Sequence, residues 1–280
     1  MKVVIGFVML MLRTVAPDMA GECDLASFYT ELGCTAVARA DGGMCPEAFT
    51  CPDLHPDPSK CYYEGVAYST GASIPQSLIT NPCSLACSCS VFSGAPQFSC
   101  AAVDCVETFD SDMQQQCINT YELDSCCSTG SVCGKDAVAQ LKTCEVDGQT
   151  YREGQTYQPK NTRKTCVCTA DFNATDNSAN CRDINCGIEI HYQNDLLQKC
   201  APVFPGNMRG CPIGFECQTP RTKLIRGLNI RNLSTQCVFG NMTLIVGDEV
   251  TVDDSCTTCT CTVPPFVACM RKNSCDSTVQ

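Results

Sequence analysis

The sequence predicts a small disulfide-rich, mainly β fold, in which short antiparallel hairpins and cysteine-rich loops repeat in tandem as an elongated array. Three observations predict it. Cysteine supplies 28 of the 280 residues, a level at which composition itself signals a disulfide scaffold, and the number is even. A cysteine-to-glycine spacing occurs three times along the chain, and each occurrence runs into a crowded group of cysteines. An apolar N-terminal run marks an export route into the oxidising compartment that such a scaffold requires.

The export signal comes first in the chain. Lys2 precedes the apolar run Val3 to Leu12, and Arg13 and small residues around Ala16 and Ala20 follow, so residues 1–21 read as a signal peptide cut near 16–21. The run is too short to span a bilayer, no later stretch is long and apolar enough, and the C-terminal "RKNSCDSTVQ" is polar. A secreted, extracellular protein without a membrane span is therefore expected. The sequons at Asn173, Asn232 and Asn241 are the expected glycosylation sites on that route. A net charge of -11 argues against nucleic acid or an anionic membrane as a partner. The basic stretch "PRTKLIRGLNIRN", with Arg221, Lys223, Arg226 and Arg231, reads as a solvated linker.

The repeat follows from aligning the crowded cysteines. "CYYEGVAYSTG" from Cys61, "CEVDGQTYREG" from Cys144 and "CVFGNMTLIVG" from Cys237 each end on a glycine, Gly71, Gly154 and Gly247. Each then reaches a cluster: Cys83, Cys87 and Cys89; Cys166 and Cys168; Cys256, Cys259 and Cys261. Two more cysteines close each stretch, Cys100 with Cys105, Cys181 with Cys186, and Cys269 with Cys275. A second pattern pairs cysteines across five residues in "CPEAFTC" from Cys45, "CSTGSVC" from Cys127 and "CPIGFEC" from Cys211, preceded by Cys34, Cys117 and Cys200. Glycine-punctuated stretches with tyrosine and threonine read as hairpins, and the remainder as cysteine-rich loops. The chain thus alternates first and second half-modules.

The cluster Cys83, Cys87 and Cys89, followed by the adjacent pair Cys126 and Cys127, resembles the von Willebrand factor type C domain, and "CTTCTC" keeps that family's spacing unchanged. The family's usual tryptophan has no counterpart, since the chain contains none. The resemblance divides the mature chain into a second half-module and linker at 22–60, a module at 61–133, a module at 144–217, a linker at 218–236 and a first half-module at 237–280.

Spacing alone leaves connectivity open. A bond between Cys87 and Cys89 would be strained, so each reaches across its module. The second module lacks counterparts of both Cys83 and Cys126, having Thr162 and Arg163 near one place and Gly210 at the other, which suggests that those two cysteines bond to each other. The full scheme is what the resemblance implies. The leading half takes Cys23 to Cys45 and Cys34 to Cys51. The first module takes Cys61 to Cys89, Cys83 to Cys126, Cys87 to Cys100, Cys105 to Cys127 and Cys117 to Cys133. The second takes Cys144 to Cys168, Cys166 to Cys181, Cys186 to Cys211 and Cys200 to Cys217. The trailing half takes Cys237 to Cys261 and Cys259 to Cys269, and Cys256 and Cys275 pair by default. Each bond contributes about 2 to 4 kcal/mol, and modules of this size need them because they bury little apolar surface.

No catalytic or metal-binding residue and no cofactor is expected. The only histidines, His55 and His191, lie outside any recognisable catalytic motif, and too few histidines are present to complete a zinc tetrahedron around the cysteine cluster. The acidic stretches Asp110 to Asp112, Asp171 to Asn177 and Asp253 to Asp254 lack the spacing of a calcium loop. The expected role is non-enzymatic binding of extracellular proteins. The resemblance implies growth factors of the bone morphogenetic protein class or matrix components as partners. Protease inhibition, a toxin-like role or an acidic biomineral matrix are the alternatives on the same scaffold. Within 61–105, Tyr62, Tyr63, Val91, Phe92 and Phe98 are the candidate binding residues, with core filling as their competing role.

Overall fold

The computed structural model describes residues 23–54, 57–92, 94–108, 117–160, 162–174, 178–227 and 235–272. The expected signal segment, His55, Asp110 to Asp112, Arg231, Asn232 and Cys275 fall outside them.

The leading half-module carries α1 (Ala26–Glu31) and the hairpin β1 (Thr35–Val37) with β2 (Ala48–Thr50). The next first half carries β3 (Cys61–Tyr63), β4 (Val66–Tyr68), β5 (Ser84–Phe92) and β6 (Ala95–Ala102). The second half after it carries β7 (Cys117–Thr120) and β8 (Gly130–Cys133), then α2 (Lys135–Gln140). The middle first half has β9 (Thr143–Val146), β10 (Gln149–Arg152), β11 (Thr156–Tyr157), β12 (Lys164–Val167) and β13 (Cys181–Asp183). Its successor has α3 (Ile188–His191), α4 (Gln193–Leu197), β14 (Ala201–Pro205) and β15 (Gly214–Glu216), with β16 (Leu224–Ile225) beyond. The trailing half has β17 (Gln236–Phe239), β18 (Met242–Ile245), β19 (Glu249–Val250), β20 (Thr257–Thr260) and β21 (Ala268–Arg271).

The repeat has a structural counterpart in each copy. Two-residue loops, Glu64 with Gly65, Asp147 with Gly148 and Gly240 with Asn241, close the first hairpins. In the first two loops both residues have positive φ, the requirement of the turn whose twist matches paired strands. The repeated glycines also have positive φ, and their N–H groups donate to the carbonyls of the cluster cysteines: Gly71 to Cys89, Gly154 to Cys168 and Gly247 to Cys261, each at 2.8 Å. Glycine therefore recurs because the backbone must turn back onto its own cysteine ladder. In the second halves, Cys34–Cys51, Cys117–Cys133 and Cys200–Cys217 each clamp one antiparallel hairpin.

Thirteen disulfides join described residues, and their partners are those the family pattern implies for them. Cys256 is also disulfide-bonded. The fold is thus a small-hairpin, disulfide-rich β structure with short helices.

The expectation of an elongated string of separate modules is corrected by long-range packing. Phe28, Tyr29 and Phe49 of the leading half share one core with Ile188, Leu196 and Phe204 and with Phe266 of the trailing half. The Phe28 ring meets Phe204 edge-on at 6.3 Å and Phe266 at 6.1 Å, while Tyr29 stacks on Phe49 at 4.4 Å. The Tyr29 hydroxyl donates to the Val263 carbonyl at 2.6 Å and accepts from the Phe266 N–H at 3.0 Å. The leading, 186–217 and trailing segments have two or three large aromatic groups each and too little surface to bury them alone, so they converge. Disulfides did not exhaust the apolar surface available for a common core.

Two of the expected boundaries change for the same reason. Strand β14 pairs in parallel with β21 through Val203 and Cys269, within one sheet ordered β15-β14-β21-β20-β19-β16. The half at 186–217 therefore extends the sheet of the trailing half, and among the described residues no disulfide ties it to 144–181. The stretch expected as a linker contributes β16, and its Arg221 pairs with Asp253 while Arg226 pairs with the buried Asp248. The middle first half instead docks on the preceding second half. There the Tyr121 N–H donates to the Gly154 carbonyl at 2.9 Å, and a side chain at Gly154 would strike Thr120.

Candidate protein-binding surface

The first half at 61–105 brings its aromatic residues inward. Tyr62, Tyr63 and Phe98 are buried. Tyr63 and Phe98 cluster with Ile74, Ile79, Cys61, Cys87 and Cys89, and Ile190 of α3 closes the group. The Tyr63 hydroxyl donates to the Leu78 carbonyl at 2.9 Å, and the Tyr62 hydroxyl accepts from the Asp57 N–H at 3.0 Å. These three residues fill the core rather than facing a partner: β3 buries both faces, Tyr63 against the cysteine cluster and Tyr62 on the side of Gln193. Of the other two, Val91 is exposed, at 54%. The Phe92 side chain lies outside the described residues.

The apolar groups that do face outward here are aliphatic. Val66 on β4, Leu78, Leu85 and Val91 on β5, and Val106 are all exposed. The short turn holding Leu78 is tied to the start of β5 by Gln76, whose amide donates to the Ser84 carbonyl at 3.1 Å and accepts from the Ala86 N–H at 3.2 Å. That tie brings Leu78 beside the segment bearing Leu85. Alternation along β5 turns Cys87 and Cys89 inward, while a register shift between Leu85 and Ser88 interrupts the pleat.

Three polar side chains that composition does not single out tie half-modules together, the first two of them holding this one. Gln193 is fully buried at the start of α4. Its carbonyl oxygen accepts from the Tyr62 N–H at 2.9 Å, and its amide donates to the carbonyls of Lys60 at 3.1 Å and Pro96 at 3.0 Å. Glu189 on α3 accepts from the Glu64 N–H at 2.8 Å beside a cavity of about 380 Å³ that Glu64, Glu31 and Asp53 also line. Burial pushes the Glu189 carboxyl up to about 7, opposed by the Glu64 N–H and assisted by the charges of Glu64 and Glu31. The third, Arg163, pairs with Glu31 of α1 where the missing counterpart of Cys83 was placed. The Glu31 carboxylate also accepts from the N–H groups of Cys186 at 3.0 Å and Ile188 at 2.8 Å. An ion pair thus joins two half-modules where the first module has a disulfide. Above it, Ser27, Thr30, Thr80 and Thr162 surround a cavity of about 300 Å³. The apolar residues Ile188, Ile190 and Leu196 around Glu189 and Gln193 were the available signal that this segment packs inward.

The raised Glu189 value gives a pH dependence with a definite sign. The folded state holds this proton more tightly than the unfolded chain, whose carboxyl titrates near 4.5. The contribution is therefore fully present below about 4.5 and lost as pH rises through about 7. Thermal melts of native and Glu189→Gln protein between pH 4 and 8 should diverge by roughly 2 to 3 kcal/mol over that window. Parallel curves would show that Glu189 does not carry it.

The remaining sequence candidates have ordinary structural roles. His191 is exposed and lies edge-on to Tyr192. Asp254 accepts from the Cys256 N–H at 2.9 Å and the Thr257 hydroxyl at 2.7 Å, while Asn81 accepts in the same way from the Cys83 N–H at 2.9 Å, so both shape the turn entering a cysteine cluster. Asn173 and Asn241 are exposed. Cys105, Cys126 and Cys127 bring three sulfurs within 4.8 Å, but all are bonded and none is a thiolate available to a metal. Among the described residues no helix is long and apolar enough to cross a membrane. The extensive disulfide bonding fits an extracellular or secreted protein. Compared with protein-family models, curated proteins and solved structures, the chain matches none.

Proposed function

We propose that the chain is a secreted, non-enzymatic protein that binds other extracellular proteins through half-modules like those of von Willebrand factor type C domains, as a matrix component or as a modulator of growth factors of the bone morphogenetic protein class. One observation carries this reading. The first half at 61–105 buries its aromatic core and still leaves Val66, Leu78, Leu85 and Val91 exposed on a frame stapled by Cys61–Cys89 and Cys87–Cys100. A rigid frame presenting aliphatic groups loses little entropy on binding. The disulfide partners add support, since they follow the family's pattern throughout the described residues.

The test uses secreted protein and an immobilised growth factor of the bone morphogenetic protein class, with a collagen-rich matrix in parallel. Leu85→Ser combined with Val91→Ser should leave secretion and melting temperature unchanged and weaken binding at least tenfold. Native protein that binds neither surface would overturn the reading, and unchanged affinity of the variant would remove these residues from it.

A further inference from the structure

We propose that the neighbouring disulfides Cys83–Cys126 and Cys105–Cys127 form a thiol–disulfide exchange site, which takes up an incoming thiolate covalently and holds it by forming a new Cys105–Cys126 bond. The geometry is local. The Sγ atoms of Cys105 and Cys126 belong to different disulfides yet lie 3.9 Å apart, and Cys127 brings a third sulfur within 4.8 Å of both. Among the described residues this is the one group of three such sulfurs drawn from two disulfides. All four cysteines are half-exposed, whereas Cys61, Cys87, Cys89, Cys144, Cys166 and Cys168 are buried; Cys133 is exposed too, so the neighbouring third sulfur, and not access alone, sets this group apart. Access to the attacked sulfur is what exchange requires. The arrangement is confined to this half-module, because Met44 and Gly210 stand where the other second halves would need a counterpart of Cys126.

The chemistry balances with one external thiolate. Attack on Cys83 Sγ forms a mixed disulfide there and expels the Cys126 thiolate. That thiolate attacks Cys105 Sγ, forms Cys105–Cys126 and expels Cys127 as a thiolate, which takes a proton from water. Attack at Cys127 runs the same relay in the other direction: Cys105 is expelled, attacks Cys126 and releases Cys83. Both routes end in the same new bond. In each, the sulfur first expelled is taken into the new bond and cannot return to expel the newcomer. Of the two bonds that join the halves of this module, Cys83–Cys126, which spans 43 residues, is lost, and Cys105–Cys127 is replaced by Cys105–Cys126. Cys61–Cys89, Cys87–Cys100 and Cys117–Cys133 remain, so each half keeps its own staples while the joint goes from two bonds to one.

The test treats the intact secreted protein with reduced glutathione, traps thiols with iodoacetamide and sequences the unreduced peptides by tandem mass spectrometry, which assigns alkylation to Cys126 or Cys127. The expected product is a Cys105–Cys126 link with glutathione on one of Cys83 and Cys127 and alkylation on the other. It should appear while the other described disulfides stay closed. Opening of Cys83–Cys126 with Cys105–Cys127 unaltered, or earlier opening of a bond such as Cys61–Cys89, would overturn the proposal. The double variant Cys83→Ala, Cys126→Ala lacks the relay and should retain at least tenfold less glutathione at Cys127, with equal retention counting against it. If that variant is not secreted, the map on native protein decides.

Discussion

Replacing Arg163 with methionine should destabilise the folded chain by roughly 3 to 5 kcal/mol, the cost of removing one partner from a buried ion pair. The Arg163 and Glu31 side chains are only 8% and 9% exposed. The guanidinium also donates to the Ile184 carbonyl at 3.0 Å, so it connects the middle first half with both the leading half and the segment entering α3. Without it, the Glu31 carboxylate stays buried with only two backbone N–H groups to balance its charge. The double variant Arg163→Met, Glu31→Gln removes that charge while keeping one acceptor oxygen for the N–H groups of Cys186 and Ile188, which the carboxylate meets with two, and should regain part of the loss. Denaturation with the disulfides intact measures both. A single variant within about 1 kcal/mol of native stability would mean that the pair does not hold these segments together.

A second large effect is expected from Phe28→Ala, at about 3 to 5 kcal/mol for deleting a buried ring that its surroundings cannot fill. Its consequence should spread beyond α1. Phe28 touches the rings of Phe204, Phe215 and Phe266, which belong to the segments at 201–217 and 237–271. Hydrogen exchange should accelerate in β14 and β21 as well as in the leading half. Acceleration confined to 23–51 would instead describe half-modules that fold as separate beads.

These two sites differ in how well the amino-acid order announces them. The position of Arg163 is visible as a gap in the cysteine pattern, but its partner Glu31 is 132 residues away and carries no local mark. The aromatic residues are visible as apolar groups, yet nothing in their spacing says that Phe28 meets Phe266. Tyr62, Tyr63 and Phe98 were candidates for either surface or core, and α3 and α4 decide the matter by covering them. Gln193 and Glu189 sit among the apolar Ile188, Ile190 and Leu196, and nothing in the local sequence says which backbone groups they meet. Their burial is possible because backbone groups of another half-module supply every hydrogen bond that Gln193 makes and the one that Glu189 makes.

By itself the sequence determines what is local. The hairpin loops follow from glycine and its neighbours, the returning turns from Gly71, Gly154 and Gly247, and the half-module frames from the cysteine spacing, with the pairing across 10 to 43 residues that the resemblance implies. Steric limits on φ and the reach of a disulfide act over such distances whatever the rest of the chain does. Only the tertiary structure decides how the half-modules dock: the parallel pairing of β14 with β21, the ion pair at Arg163 and the aromatic core drawn from three segments. Hydrophobic burial is non-directional and scales with area, so it rewards any arrangement that hides these rings. The choice among arrangements rests on shape and on hydrogen bonds between residues more than a hundred positions apart, such as Tyr29 to Val263 and Gln193 to Tyr62.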